Sequence, residues 1–399
     1  MHDKIQVSTE ARQRGVALPV ANELALSSGS RQVFWQTIGS AGVTIPILDL
    51  DLPGPDLTAA VCDIESVSGD EVRLADAIER ALGGLSHLRI ERDGDTIVAR
   101  THLGRPERVL IAGHIDTVPV AGNLPTRREG DQLWGRGTVD MKGGVAVALR
   151  LAAHVREPRR DVTYVFYDNE EVESDKSGLG RVAATHPDWL EGTFAILMEP
   201  TSAIVEGGCN GTLRVEVTVR GRAAHSARWW MGSNAIHSAG RVLDRLRSYE
   251  PAEIEVDGLT YREGLNAVEV RGGIAGNVIP DECVVTINYR FAPSRSEDEA
   301  HQHVREVLGG FDVAVTDSVP GARPGLTHPA VASFVAAVGG EPRAKQGWTD
   351  VARFSALGIP ALNYGPGDPQ LAHHDDERVH IGEILACEDH MRAWLSTAP

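Results

Sequence analysis

Apolar residues along this chain fall into two kinds of pattern. RVLIAGHID, DVTYVFYD and FAILMEP are short, β-branched-rich runs that end abruptly in polar residues, as expected for strands buried on both faces of a parallel sheet. MKGGVAVALRLAAHV is an apolar stretch long enough for a helix, and PDLTAAVCDIESVSGDE begins a helix pair. In the second of these helices Ser68 and Glu71 are expected to form a capping box, with Leu74, Ile78 and Leu82 on one buried face. From GTLRVEVTVRG onward, alternating strands and amphipathic helices replace the continuous runs. NAIHSAGRVLDRL sets Ile236, Ala239, Leu243 and Leu246 on one helical face, VEVRGG and CVVTINYRF read as strands, and SEDEAHQHVREVLGGF reads as a second helix. The prediction is an α/β fold with a mixed, largely parallel sheet, interrupted by an α+β insert of ferredoxin-like type over about 211 to 316.

The strand exits carry the chemistry. His114 and Asp116 follow the first run, Asp140 follows a glycine-rich turn, Glu170 and Glu171 follow the second run, and Glu199 follows the third. His373 lies late in the chain, in LAHHDDERV. In open α/β sheets the ligand crevice lies beyond the carboxyl ends of the strands, where these side chains fall. Residues two apart in a strand share a face, so one of His114 and Asp116 can bind a metal while the other orients it. The two oxygens of Asp140 can bridge two cations, and Pro200 imposes extended geometry on Glu199. Adjacent side chains diverge, so one of Glu170 and Glu171 can be a ligand while the other faces substrate. Taken singly, each of these is an ordinary loop residue; together they have the composition of a two-metal hydrolase. His154, His186, His237, His301, His303 and His390 have no metal-ligand spacing around them and read as surface or packing residues.

Length and charge bound the rest. At 399 residues the chain exceeds the roughly 250 to 300 that one core sustains, so two domains are expected. A formal charge of −17, from 39 basic and 56 acidic residues, argues against nucleic acid or an anionic membrane as partner. The four cysteines, Cys62, Cys209, Cys283 and Cys387, are scattered without C-x-x-C spacing, which fits a reduced cytoplasm. No long apolar run suggests a membrane span, and MHDKIQVSTEARQRG has charges without a following apolar segment.

GHIDTVP, GRGTVDMKGG, YDNEEV, GRAAHSAR with SNAIH, AGNVIP, NYRFAP, GWTD, and NYGPGD with LAHHDDERV together resemble the M20 family of zinc aminoacylases and peptidases. The likeness runs from about Pro55 to the C-terminus. It implies a zinc-peptidase-like catalytic domain over 51–210 and 317–399, with a lid and dimerisation domain over 211–316. Residues 1–50 are then an N-terminal extension of uncertain structure: a true extension, a peripheral strand from VTIPILDL, or an artefact of start-codon choice. By the family pattern one metal takes His114 and Glu199, the other takes Glu171 and His373, and Asp140 bridges them; the spacing to Asp376 and Glu377 favours His373 over His374. Mixed N/O ligation suits two Zn2+, with Co2+ or Mn2+ as substitutes. Asp116 orients a ligand, and Glu170 is the general base that takes a proton from an activated water. His225 resembles an oxyanion donor supplied by the partner subunit of a homodimer. The peptide bond after Asp140 is expected to be cis.

Within the family, the likeness implies an enzyme that removes succinate from N-succinyl-LL-2,6-diaminoheptanedioate, a small anionic N-acyl amino acid. Arg290, Asn277, Thr349 and Thr212 occupy positions resembling the family's substrate contacts, and a bidentate arginine suits a carboxylate. Read without the resemblance, the same four are a surface ion pair, a turn residue, a helix cap and a strand start. A deacetylase of the acetylornithine kind or a glutamate-releasing carboxypeptidase would share the metal ligands, and a metal-free binding homologue would have no need for clustered carboxylates.

Overall fold

The computed structural model describes residues 35–38 and 43–397; most of the N-terminal extension, and with it the question of its structure, lies outside the described residues. From VTIPILDL, Val43–Pro46 is a strand paired antiparallel with Trp35–Ile38. The main sheet has eight strands in the order Arg343–Ala344, Glu206–Gly207, Ala361–Asn363, Phe194–Leu197, Arg108–His114, Asp161–Tyr167, Thr96–Arg100, Arg89–Asp93. The four from Ala361–Asn363 to Asp161–Tyr167 are mutually parallel, and antiparallel strands close the far edge. The sheet is therefore mixed, with a parallel centre, as the continuous apolar runs predict.

Each central strand is buried on both faces because its side chains alternate between two cores. Val109, Ile111, Val162, Tyr164, Phe194 and Ile196 pack on one side with the helices Gly54–Cys62, Val72–Gly83, Lys142–His154 and Ile381–Ser396. Leu110, Ala112, Val165, Tyr167, Ala195 and Leu197 pack on the other with Gly178–Thr185 and Val351–Ala356. The parallel strands consequently end together, and His114, Tyr167, Leu197 and Asn363 mark one rim of the sheet.

The insert is built as strand Gly211–Arg220, helix Ala235–Arg247, strands Gly264–Gly272 and Glu282–Phe291, helix Glu297–Val307 and strand Val313–Val319. Its sheet is antiparallel, with Gly264–Gly272 and Val313–Val319 at the edges and Glu282–Phe291 beside Gly211–Arg220 between them, which is the ferredoxin-like order. Leu213, Val215, Val217 and Val219 face the two helices, so Thr212, Arg214 and Glu216 face the other way. Its last strand runs to Val319, past the boundary at 316 expected from the sequence.

Two local expectations fail. Ser68 and Glu71 form no capping box: the Ser68 hydroxyl donates to Asp116 Oδ2 at 2.7 Å, and Glu71 Oε1 accepts from the Gly69 and Asn169 N–H groups. A buried carboxylate distant in sequence outcompeted the local cap, although Leu74, Ile78 and Leu82 are buried as expected. In Ala235–Arg247 the inward face is Ala235, Ala239 and Val242, whereas Ile236 and Leu243 are exposed. Among the described residues no helix is long and apolar enough to cross a membrane.

Candidate metal centre

His114 is the last residue of its strand and is buried. Its Nδ1 lies 3.0 Å from the Asp116 carbonyl oxygen and 3.4 Å from Asp116 Oδ1. An Nδ1–H held there leaves Nε2 facing Asp140 Oδ1 at 3.2 Å, the tautomer that exposes a lone pair to a cation. Asp140 ends the glycine-rich turn ahead of Lys142–His154, and the Asp140–Met141 peptide bond is cis. Its Oδ2 is 3.4 Å from His373 Nε2, and the same nitrogen is 2.9 Å from Glu171 Oε1. Donor atoms of His114, Asp140 and Glu171 lie within 4.8 Å of one another. His373 and Asn169, with φ of 65° and 57°, are in the left-handed region that non-glycine residues seldom adopt. That conformation at Asn169 turns the chain at the strand exit just before Glu170 and Glu171.

Asp116 is fully buried and organises this corner. Beside His114 and Ser68, its Oδ1 accepts the Glu170 N–H at 3.1 Å and its Oδ2 the Glu171 N–H at 3.0 Å, so one carboxylate fixes both the imidazole and the acidic turn. Glu377 performs the equivalent task for Asp140. Its Oε1 accepts from the Val139 and Asp140 N–H groups at 2.9 and 3.2 Å, and its Oε2 pairs with Arg136 Nη1 at 2.8 Å.

The electrostatics are those of crowded acids. Burial alone would disfavour a charged His114, but Asp116 and Asp140 more than offset it and hold its pKa well above the ordinary value. Burial likewise works against a charged Asp140, yet the two histidines win and its carboxyl stays below the usual range. Bonds from Asp140 and Glu171 push His373 up to about 10. Glu199, desolvated and facing Asp140, is pushed up to about 8. Burial raises Glu171 and carries Glu170 well above the carboxylate range. Such a set is short of positive charge. Two imidazoles and three carboxylates converging without sulfur fit a divalent cation of the zinc, cobalt or manganese kind.

A cleft of about 1380 Å³ separates this corner from the bare face of the insert's sheet. Asp140, Glu170, Glu171, Glu199 and His373 line one wall, with Thr212 and Arg290 opposite. Thr212 Oγ1 accepts from Asn288 Nδ2 at 2.9 Å. The other expected residues lie elsewhere. Thr349 is buried and its hydroxyl is engaged by Asn363 Oδ1 at 2.9 Å; its neighbour Asp350 lines the cleft instead. His225 is exposed in a short strand paired with Val278–Ile279, its Nδ1 accepting from the Ala227 N–H, and Asn277 sits at the same corner, its carbonyl accepting from Ser226. Neither lines the cleft. His374 is exposed beside Asp376 at 3.8 Å.

Sequence reasoning missed Asp350, Glu377 and Arg136. Asp350 is fully buried and holds Arg353 Nε at 2.5 Å. Its signal is in GWTD, directly after the threonine expected as a contact. The Arg136–Glu377 pair spans most of the chain and has no local signature.

Residues 110–397 match the family described as Peptidase family M20/M25/M40. A protein of Mycobacterium tuberculosis named "Putative succinyl-diaminopimelate desuccinylase DapE" is 58% identical over 351 residues, covering 87% of this chain and 99% of its own. The succinyl-diaminopimelate desuccinylase of Corynebacterium glutamicum is 46% identical over 360 residues, covering 87% and 98%. Among solved structures, a tripeptidase from Staphylococcus aureus superposes with a TM-score of 0.71 at 16% identity, covering 88% of this chain and 98% of that one, a likeness of fold alone.

Proposed function

The chain belongs to peptidase family M20/M25/M40, a metal-dependent hydrolase, and from that premise we propose that it removes succinate from N-succinyl-LL-2,6-diaminoheptanedioate, a step of diaminopimelate and lysine biosynthesis. The observation that carries the reading is the near full-length identity to the mycobacterial and corynebacterial proteins that bear this reaction's name, joined to the converging His114, Asp140 and Glu171.

In this reading His114 and Glu199 would hold one divalent ion and Glu171 and His373 a second, with Asp140 shared, the ions being Zn2+, or Co2+ or Mn2+. When bound, such ions polarise the amide carbonyl and lower the pKa of an attacking water. Glu170 takes that water's proton as the oxygen adds to the amide carbon, then returns it to the leaving nitrogen as the C–N bond breaks. Burial raises its pKa, the direction that makes a carboxylate a stronger base. Asp116 keeps the His114 ring and the Glu170–Glu171 turn in place. Arg290 and Thr212 meet the substrate from the opposite wall of the cleft, whereas Asn277 and Thr349 do not line it.

Residues 211–319 act as lid and dimerisation domain on a catalytic domain of 51–210 and 320–399. A homodimer is supported by the edge strand Gly264–Gly272, where Val268 and Val270 are 59% and 50% exposed beside the exposed Ile236 and Leu243 of the adjoining helix. An open, apolar edge strand is a template for pairing with a second chain. His225, remote from its own chain's cleft, then serves the partner's site as oxyanion donor. The four cysteines are free and buried, in keeping with a reducing cytoplasm.

The test is metal analysis of the purified protein with a hydrolysis panel of N-succinyl-LL-2,6-diaminoheptanedioate, N-acetylornithine and a peptide ending in glutamate. The first should be cleaved with the highest kcat/KM. Preference for either other substrate would move the protein to another branch of the family, and metal-free, inactive protein would end the enzymatic reading.

A further inference from the structure

The wall of the cleft opposite the metal centre has a charge pattern that the hydrolytic chemistry does not require. Three arginines of the inserted sheet line it, Arg214, Arg271 and Arg290. Arg271 is committed, pairing with Glu216 at 2.6 Å and Glu269 at 2.7 Å. Arg353 on the catalytic side is committed to Asp350, and His373 to Glu171 and Asp140. Among the described residues neither Arg214 nor Arg290 forms an ion pair, although both face a cleft rich in carboxylates.

The register explains why these two act together. Thr212 on Gly211–Arg220 is directly opposite Arg290 on Glu282–Phe291, and Arg214 is opposite Asn288. Arg214 therefore points to the same face as Arg290, one diagonal step away, within reach of long side chains across a sheet. The two cations feel one another: after burial, the largest influence lowering Arg290 is the charge of Arg214. Asp317 stands directly opposite Arg214 on Val313–Val319 and its charge also acts on Arg290, so two guanidiniums share one nearby carboxylate without an ion pair to it; the positive charge left over favours an anionic occupant, and a guanidinium reads a carboxylate through two parallel hydrogen bonds. The next position on the same face is Glu216, and there Glu216 and Glu269 together outnumber Arg271. The wall thus passes from an excess of positive charge at Arg214 and Arg290 to an excess of negative charge at Glu216 and Glu269.

We propose that Arg214 is a specificity-determining residue which, with Arg290, binds the free carboxylate on the acyl half of the substrate and thereby selects dicarboxylic acyl groups over acetyl. This rests on the desuccinylase reading. The acyl half of such a substrate carries only a carboxylate, whereas the amine half also carries an ammonium group, which two unpaired guanidiniums would repel. Arg214 is itself exposed, so replacing it leaves the core untouched.

The experiment compares wild type, Arg214→Leu and Arg214→Lys, all metal-loaded, on N-succinyl- and N-acetyl-LL-2,6-diaminoheptanedioate, with competitive inhibition by succinate and by butyrate as a binding readout. Loss of a charged, bidentate contact should lower kcat/KM for the succinyl substrate about 10- to 100-fold in Arg214→Leu. The acetyl substrate should change by less than about threefold. Succinate inhibition should weaken in parallel and butyrate inhibition should not, while Arg214→Lys recovers part of the loss. Equal losses on both substrates, or an unchanged ratio in both variants, overturns the assignment. If wild type cleaves neither substrate, it is the desuccinylase reading that falls; if wild type cleaves the succinyl substrate and the variants keep its selectivity, only Arg214's role falls.

Discussion

Replacing Asp116 with asparagine should uncouple the fold from its metal centre without emptying any space. The carboxylate is fully buried and its oxygens meet four groups: the Ser68 hydroxyl at 2.7 Å, the Glu171 and Glu170 N–H groups at 3.0 and 3.1 Å, and His114 Nδ1 at 3.4 Å. Asparagine offers one oxygen and one NH2. With the NH2 towards Ser68 the hydroxyl can turn to accept, but the Glu171 N–H loses its partner; in the other orientation the Glu170 N–H does. One buried donor is stranded either way, at about 1 to 3 kcal/mol. Loss of the charge beside His114 should weaken metal binding about 10- to 100-fold, equivalent to about 1.4 to 2.7 kcal/mol. The assays are a metal titration against a competing chelator and thermal unfolding of the metal-free protein. The pH dependence gives a further check. Burial disfavours the Asp116 anion, but His114 and the two N–H donors win and hold its pKa below the ordinary value. Its contribution is thus present above about pH 4 and lost as pH falls through the lowered folded value, so the variant should show a shallower acid destabilisation. Wild-type metal affinity together with an unchanged melting temperature would refute the role assigned to Asp116.

Glu170→Gln should lower kcat by about 10²- to 10⁴-fold while metal content stays at the wild-type level; loss of metal along with activity would make Glu170 a ligand instead. His373→Ala should lose one ion or nearly all activity, whereas His374→Ala should be mild, and the reverse result would shift the ligand by one residue. Inactive Glu170→Gln chains mixed with inactive His225→Ala chains should regain activity, because one site of the mixed dimer holds an intact Glu170 and a partner's intact histidine. Mixed dimers that form and remain inactive would confine His225 to its own chain or remove it from the reaction.

The parallel core was legible because strands buried on both faces must be apolar throughout, and the acidic exits of RVLIAGHID and DVTYVFYD stand out against that background. The amphipathic insert was legible for the complementary reason, since Leu213, Val215, Val217 and Val219 alternate with polar residues. Direction at the strand exits was harder to read. At the exit of Asp161–Tyr167 it depends on the left-handed Asn169, and His373 in the late loop is left-handed as well; no local pattern announces either conformation. Ser68 illustrates the same limit: its sequence context fits a cap, but Asp116, brought close by the fold, is the stronger acceptor. In GWTD the threonine was the expected contact and the aspartate is the one in the cleft. Which of two adjacent polar residues faces a cavity is decided by Asn363, fourteen residues on, accepting the Thr349 hydroxyl. In helix Ala235–Arg247 the spacing sets Ile236, Ala239, Leu243 and Leu246 on one face, whereas the buried face is Ala235, Ala239 and Val242, and Ile236 and Leu243 are exposed.

The two walls of the cleft divide the electrostatic work. On the catalytic side burial raises the pKa values of Glu170, Glu171, Glu199 and Asp350; neighbouring carboxylates add to it at Glu170 and Glu199, whereas Arg353 and His114 oppose it at Asp350. Such buried acids are costly unless cations enter among them, and Asp116 and Glu377 hold the Glu170–Glu171 turn and Asp140 in place. A chain of formal charge −17 also repels an anionic substrate at long range, a repulsion that salt screens within about 10 Å at 0.1 M. Attraction must therefore be local and unneutralised. Among the described residues neither Arg214 nor Arg290 closes an ion pair, although Asp317 stands across the ladder from Arg214; beside Arg271, which pairs with both Glu216 and Glu269, that is the arrangement expected of a surface that binds an anion.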